Sequence, residues 1–145
     1  MISAIEGGAA NVSLSTVDRL AAALGIKFTD LVRPPNAADA LRIESIGWRG
    51  EHPDSLALLL GAAPGSRETE LWRWSLGPGE RYGSEYGSET WHEVLYVISG
   101  ALRIEMAGAV HQLAEGEFRI FSSREPYTFA NDAEAPVQFI RCVVL

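Results

Sequence analysis

Few of the 145 residues can ionise, ligate or attack: three histidines, one cysteine, and acidic residues that outnumber basic ones by 19 to 12. His92 is followed directly by Glu93. Neighbours in a strand project to opposite faces, so these two cannot easily share a metal. His111, in Val110-His111-Gln112-Leu113, reads as a surface or strand-edge residue, and His52 falls near a loop. Cys142 lies in an apolar run and reads as a buried small hydrophobe. The chain has no Gly-x-Ser-x-Gly elbow, no phosphate-cradling glycine loop with lysine, no zinc-type cysteine spacing and no Cys/His dyad. What it does concentrate is aromatic residues, notably Trp72, Trp74, Tyr86, Trp91 and Tyr127. Such side chains either line a ligand cavity or fill a core.

The elements that must position these groups change character near residue 34. From Asn11 to Val32 the period is helical, with Leu14, Val17, Leu20, Ala21 and Leu24 on one face and Ser13 as N-cap. Gly25 closes that helix, and Phe28, Leu31 and Val32 fit a second short one ending before Pro34-Pro35. Residues 34–40 have the composition of a linker. Beyond them come short β-type runs broken by glycine, proline and Asn131-Asp132 turns. The expected strands are Leu41–Trp48, Ser55–Leu60, Thr69–Leu76, Glu93–Ser99, Leu102–Met106, Val110–Leu113, Phe118–Phe121 and Val137–Val144. In the third, Trp72, Trp74 and Leu76 share one face, and Leu71, Arg73 and Ser75 the other.

Composition narrows the class. With 47% apolar and 21% charged residues the chain is a compact globular protein. Its longest apolar run falls far short of the roughly 18 residues a membrane span needs, and its start does not read as a signal peptide. Cytoplasmic localisation is therefore expected, without membrane partners. A net charge of −7 repels phosphate backbones, so this chain alone should bind DNA weakly or not at all.

Two stretches carry a family resemblance. Ile2-Ser3-Ala4-Ile5-Glu6-Gly7-Gly8, with Ser13 to Val17 and Leu20 to Ile26, resembles the second half of a lambda-repressor-like (XRE-type) helix-turn-helix domain over residues 1–33. The resemblance implies that only the C-terminal part of that domain is present, its first two helices absent and Met1 falling within the recognition helix. Ser3 and Glu6 are then the candidate DNA-binding residues. Gly79 to Gly100 resembles the first cupin motif, with Glu93, six residues and Gly100 in register. Gly108, five residues, Ala114-Glu115-Gly116 and then Tyr127, three residues, Asn131 resemble the second.

A metal-binding cupin brings three imidazoles and one carboxylate to a divalent transition metal. The two first-motif histidine positions fall within Glu-Tyr-Gly-Ser-Glu at residues 85–89, and the third ligand position is Tyr127, so only Glu93 survives. No metal and no cofactor are expected. Glu93 then either binds a polar or cationic ligand or is a buried acid neutralised by arginine, with Arg73, Arg103, Arg119 and Arg141 as candidates.

The expected protein is mostly β: a cupin-type double-stranded β-helix (jelly-roll) barrel at residues 41–145, preceded by a short helical segment. Its expected function is metal-free sensing of an unidentified small-molecule effector in a homodimeric transcription regulator, with DNA bound only in a longer form. The candidate ligand pocket is Glu93, Tyr127, Tyr86, Trp72, Trp74 and Arg119, with no catalytic residue. A metal-dependent oxygenase or isomerase built from Glu85, Glu89 and Glu93 with a histidine, and a ligand-free dimerisation module, are the rival readings.

Overall fold

The computed structural model describes residues 14–33, 39, 41–65, 67–84 and 90–145. Two helices, α1 (Leu14–Leu24) and α2 (Phe28–Val32), precede ten strands. Gly25 ends α1 with φ +68°; its N–H donates to Ala22 O, and the Ile26 N–H to Ala21 O. This is the paired closure that a left-handed glycine makes possible. Asp30 accepts a hydrogen bond from the Lys27 N–H and so caps the start of α2. Ala21 is buried on the expected face, but Leu24 is 63% exposed, because the chain turns away at Gly25 before that last position meets the β domain. The expected cap Ser13 lies outside the described residues.

The strands are β1 (Arg42–Arg49), β2 (Leu56–Pro64), β3 (Glu68–Leu76), β4 (Arg81–Ser84), β5 (His92–Ser99), β6 (Ala101–Met106), β7 (Ala109–Ala114), β8 (Phe118–Ser122), β9 (Tyr127–Ala130) and β10 (Val137–Val144). They form a six-stranded sheet ordered β1-β2-β3-β10-β5-β8 and a four-stranded sheet ordered β4-β9-β6-β7. The described pairings are all antiparallel. The two sheets face each other as a double-stranded β-helix, not as a closed barrel, so the barrel expectation needs that correction. Eight strands fall where the short β-type runs and turn residues put them. The additional pair, β4 and β9, is four residues each and was not expected.

Aromatic side chains from both inner faces fill the space between the sheets. Trp74 is fully buried, stacked 5.4 Å from Trp48 and 5.9 Å from Phe139, with the ring of Phe129 edge-on at 5.9 Å. Each such ring removes ~150–250 Å² from water, worth about 4–6 kcal/mol at ~25 cal/mol per Å². Burial in β3 confirms the expected split, with Trp72, Trp74 and Leu76 inward and Leu71 and Arg73 outward.

The helical segment docks where β3 begins. Phe28 of α2 lies 5.9 Å from Trp72, the buried Thr29 hydroxyl donates to Glu68 Oε1 at 2.6 Å, and Ser45 Oγ donates to Val32 O. Lys27 Nζ adds a contact to Glu68 at 3.4 Å.

Candidate functional site

Glu93 sits second in β5, and the alternation of that strand turns it inward while His92 stays on the outside, exposed. Its carboxylate is fully buried. A carboxylate there must find donors for about four lone-pair positions, and four arrive. Arg141, inward-facing on the adjacent β10, donates from Nε to Oε2 at 2.7 Å and from Nη2 to Oε1 at 2.6 Å. Tyr127 of β9 donates its hydroxyl to Oε1 at 2.6 Å, and the Trp91 indole N–H donates to the same oxygen at 2.6 Å. Arg141 Nη2 also donates to the Tyr127 oxygen at 2.8 Å, which closes a three-membered ring of contacts.

Local sequence explains how each partner is held. Backbone and side-chain bonds between Trp91 and Ser123 pin the approach to β5, so the indole swings onto Glu93. Asn131, the residue after β9, donates to Leu76 O and Ala135 O and accepts from the Ala133 N–H. Its place in the motif is therefore structural: it fixes the register that brings Tyr127 under Glu93. The Arg141 guanidinium lies 5.7 Å from the Trp74 ring centre and 6.0 Å from that of Phe129, so its face is covered by aromatic rings.

Electrostatics follow from this geometry. Burial pushes the Glu93 carboxyl up, but the charge of Arg141 and the hydrogen bonds from Arg141, Tyr127 and Trp91 outweigh it and hold Glu93 below the usual carboxylate range. Burial alone would lower Arg141; Glu93 and Tyr127 reverse this and leave it well above its ordinary value. Burial, with Glu93 alongside, raises the Tyr127 phenol. At neutral pH the cluster is an ion pair plus a neutral phenol.

Of the sequence-derived pocket residues, the structure brings Glu93 and Tyr127 into direct contact. Arg119 is inward on β8 opposite Leu95, part-buried, and makes no hydrogen bond to Glu93; the partner among the four candidate arginines is Arg141. Arg141 and Arg119 flank Leu95 in one inward row, and alternation alone does not say which reaches the carboxylate. Trp72 is buried and donates to Glu70 Oε2 at 2.8 Å, so it and Trp74 pack the core. The Trp74 indole N–H is buried without an acceptor among the described groups. Tyr86, Ser3 and Glu6, like Glu85 and Glu89, lie outside the described residues. Cys142 departs from its expected burial: as the neighbour of inward Arg141 it must face outward, and it is half-buried on the outer surface. Burial raises its thiol.

The cupin-domain family model matches residues 72–144, just over half the chain, and the chain belongs to the cupin family. No curated protein matches it in sequence. Among solved structures, an HTH_3 family transcriptional regulator from Vibrio cholerae aligns with all of this chain and 79% of its own, at 18% identity and a TM-score of 0.64. The Cupin_2 domain of an XRE family transcriptional regulator from Enterobacter cloacae aligns over 53% of this chain and 81% of its own, at 23% identity and a TM-score of 0.51. The polyketide cyclase RemF from Streptomyces resistomycificus aligns over 66% of this chain and 68% of its own, at 16% identity and a TM-score of 0.53. These are likenesses of fold.

Many cupins hold a transition metal at the place of Glu93 and Tyr127, and the residues here do not fit one. Glu93 already takes three donors at Oε1 and one at Oε2, and a cationic guanidinium lies against it. Tyr127 faces it as a neutral hydroxyl. Among the described residues no three His, Cys, Asp or Glu side chains cluster.

Proposed function

We propose that this chain is the regulatory domain of an XRE-type transcription regulator, sensing a small organic effector without metal and without catalysis. The observation that carries this reading is a continuous packing route. Phe28 of the helical segment rests on Trp72, Trp72 lies 6.5 Å from Trp74, and Trp74 covers the guanidinium of Arg141. A change at the polar centre therefore has a path of rigid rings to the helix pair, which in a longer form would continue into the DNA-reading helices. The regulators among the fold neighbours support the same reading, and the four donors on Glu93 favour it over the metal-dependent enzyme.

The buried Trp74 N–H indicates the effector's chemistry. A buried donor left unmade costs about 1–3 kcal/mol, and an effector with an acceptor oxygen would satisfy it. An anionic group could at the same time draw on Arg141. Thermal unfolding against a panel of small carboxylates, sugars and amino acids tests this: one chemical class should stabilise the fold, by about 2.7 kcal/mol at a hundredfold excess over Kd. The full packing between the sheets favours a second reading, a ligand-free dimerisation module. A flat response to the whole panel would select it over the sensor.

A further inference from the structure

Two basic side chains, Arg119 and His111, turn into the space between the sheets. Alternation in β8 directs Arg119 inward with Phe121, while Phe118 and Ile120 face out. In β7 it directs His111 inward with Leu113, although β7 is the edge strand of its sheet. The Arg119 Nε is buried without an acceptor among the described groups. Arg33 and Arg103 share that deficit, but their guanidinium groups meet Asp30 and Asp132. Among the described residues Arg119 meets no acid, and the His111 ring has no hydrogen-bond partner.

Register brings the two groups together. Trp74 of β3 lies 4.5 Å from Tyr82 of β4, and Phe139 of β10 lies 5.3 Å from Phe129 of β9, so the sheets face each other strand for strand. Continuing outward, β5 and then β8 follow in one sheet, and β6 and then β7 in the other. Arg141, Leu95 and Arg119 make one inward row. Phe129, Ile104 and His111 make the row that faces it. The Arg141 guanidinium lies 6.0 Å from the Phe129 ring centre, which joins the two rows at their inner end. At the outer end Arg119 therefore faces His111 across the seam between β7 and β8, over a floor of fully buried Leu95 and Ile104.

We infer that this seam is a binding site for a small organic carboxylate with an apolar body, separate from the Glu93 cluster and from the Trp74 N–H. A guanidinium cannot shed its proton, so Arg119 carries its charge inward, and a buried N–H left unmade is costly. Its planar fork matches the two oxygens of a carboxylate. The same fork in Arg141 holds Glu93 in this way. The imidazole of His111 donates a ring N–H in either charge state and supplies a further bond.

The acids close to Arg119 are already engaged. Glu93 lies against Arg141, and Glu117, two residues before Arg119, accepts from the Ala114 N–H. Leu95 and Ile104 offer an apolar surface to the body of the ligand, and both Arg119 and His111 are only part-buried, so solvent reaches the seam. The site holds whether or not an effector also binds at Trp74.

Proton–nitrogen NMR with benzoate as the probe, and benzamide as its uncharged counterpart, tests the inference. Benzoate is expected to shift the Arg119 Nε–H and His111 ring signals saturably, and benzamide to leave them in place. Arg119→Gln should weaken benzoate binding, read at the His111 ring, at least ~10-fold. His111→Gln, read at the Arg119 Nε–H, should weaken it ~3-fold or more. Arg119→Lys, which keeps the charge but loses the fork, serves should Arg119→Gln fail to fold, with a loss in the same direction. Signals unmoved by benzoate would overturn the inference. So would equal binding of benzamide, or unchanged affinity in the variants. A shift of the Trp74 indole N–H with Arg119 unmoved would overturn it too, and would put the anion at the site of the proposed effector instead.

Discussion

Arg141 grips Glu93 through two parallel hydrogen bonds, 2.7 Å from Nε to Oε2 and 2.6 Å from Nη2 to Oε1, inside a fold whose relatives often hold a metal there. A guanidinium keeps its charge at any accessible pH and its planar fork matches a carboxylate. It supplies a permanent internal cation beside the carboxylate.

Removing one member of a buried pair leaves the other charged and unpaired, which costs about 3–5 kcal/mol. Arg141→Met is therefore expected to lower stability by that amount in urea unfolding. Glu93→Met combined with Arg141→Met should recover most of the loss, because no buried charge is then left. A double variant as unstable as the sum of the singles would contradict a coupled pair.

Acid should unfold this protein through Glu93. Its folded-state carboxyl lies below the ordinary value of 4.5, so the native state favours the ionised form and the unfolded state binds the proton first. The stability this contributes is fully present above that ordinary value and is lost as pH falls through the lower, folded-state value. Urea midpoints measured from neutral pH downward should drop in that acidic window, and Glu93→Gln should flatten this part of the profile.

Tyr127→Phe removes a hydroxyl that donates to Glu93 and accepts from Arg141 while leaving the ring on Phe129, 5.0 Å away. The expected cost is about 1–3 kcal/mol, measured by denaturant unfolding, with the fold retained. A cost near zero would mean that the hydroxyl adds nothing to the ion pair.

Thr29→Val deletes the hydroxyl bonded to buried Glu68 while keeping the side chain's shape. The helix pair should then open more readily than the sheets. Amide exchange in Phe28–Val32 is expected to quicken by about tenfold or more, from the ~1–3 kcal/mol of a buried hydrogen bond, while the central residues of β5 and β10 keep their protection. Equal acceleration everywhere would show that helices and sheets unfold as one unit.

The fold was legible because period-two alternation is strong where strands are long, as in Trp72-Arg73-Trp74-Ser75-Leu76, and because glycine marks the turns. β4 and β9 escaped because Arg81-Tyr82-Gly83-Ser84 has no apolar run and ends in turn-type residues, and Tyr127-Thr128-Phe129-Ala130 was read only for its motif position. Glu93 and Tyr127 were readable from motif spacing. Arg141 was not singled out, because its tie to Glu93 spans 48 residues of sequence and depends on β10 lying beside β5. Trp91 lay among the aromatics, but its bond to Glu93 depends on Ser123 pinning the loop.

The most direct test of a guanidinium in place of a metal is elemental analysis of protein purified without a histidine tag, before and after incubation with excess divalent zinc, manganese, iron or nickel and desalting. The account predicts far less than one equivalent of any transition metal in both samples and an unchanged melting temperature. A stoichiometric metal retained through desalting, lost in a Glu93→Gln variant, would contradict it and reopen the metal-dependent enzyme reading.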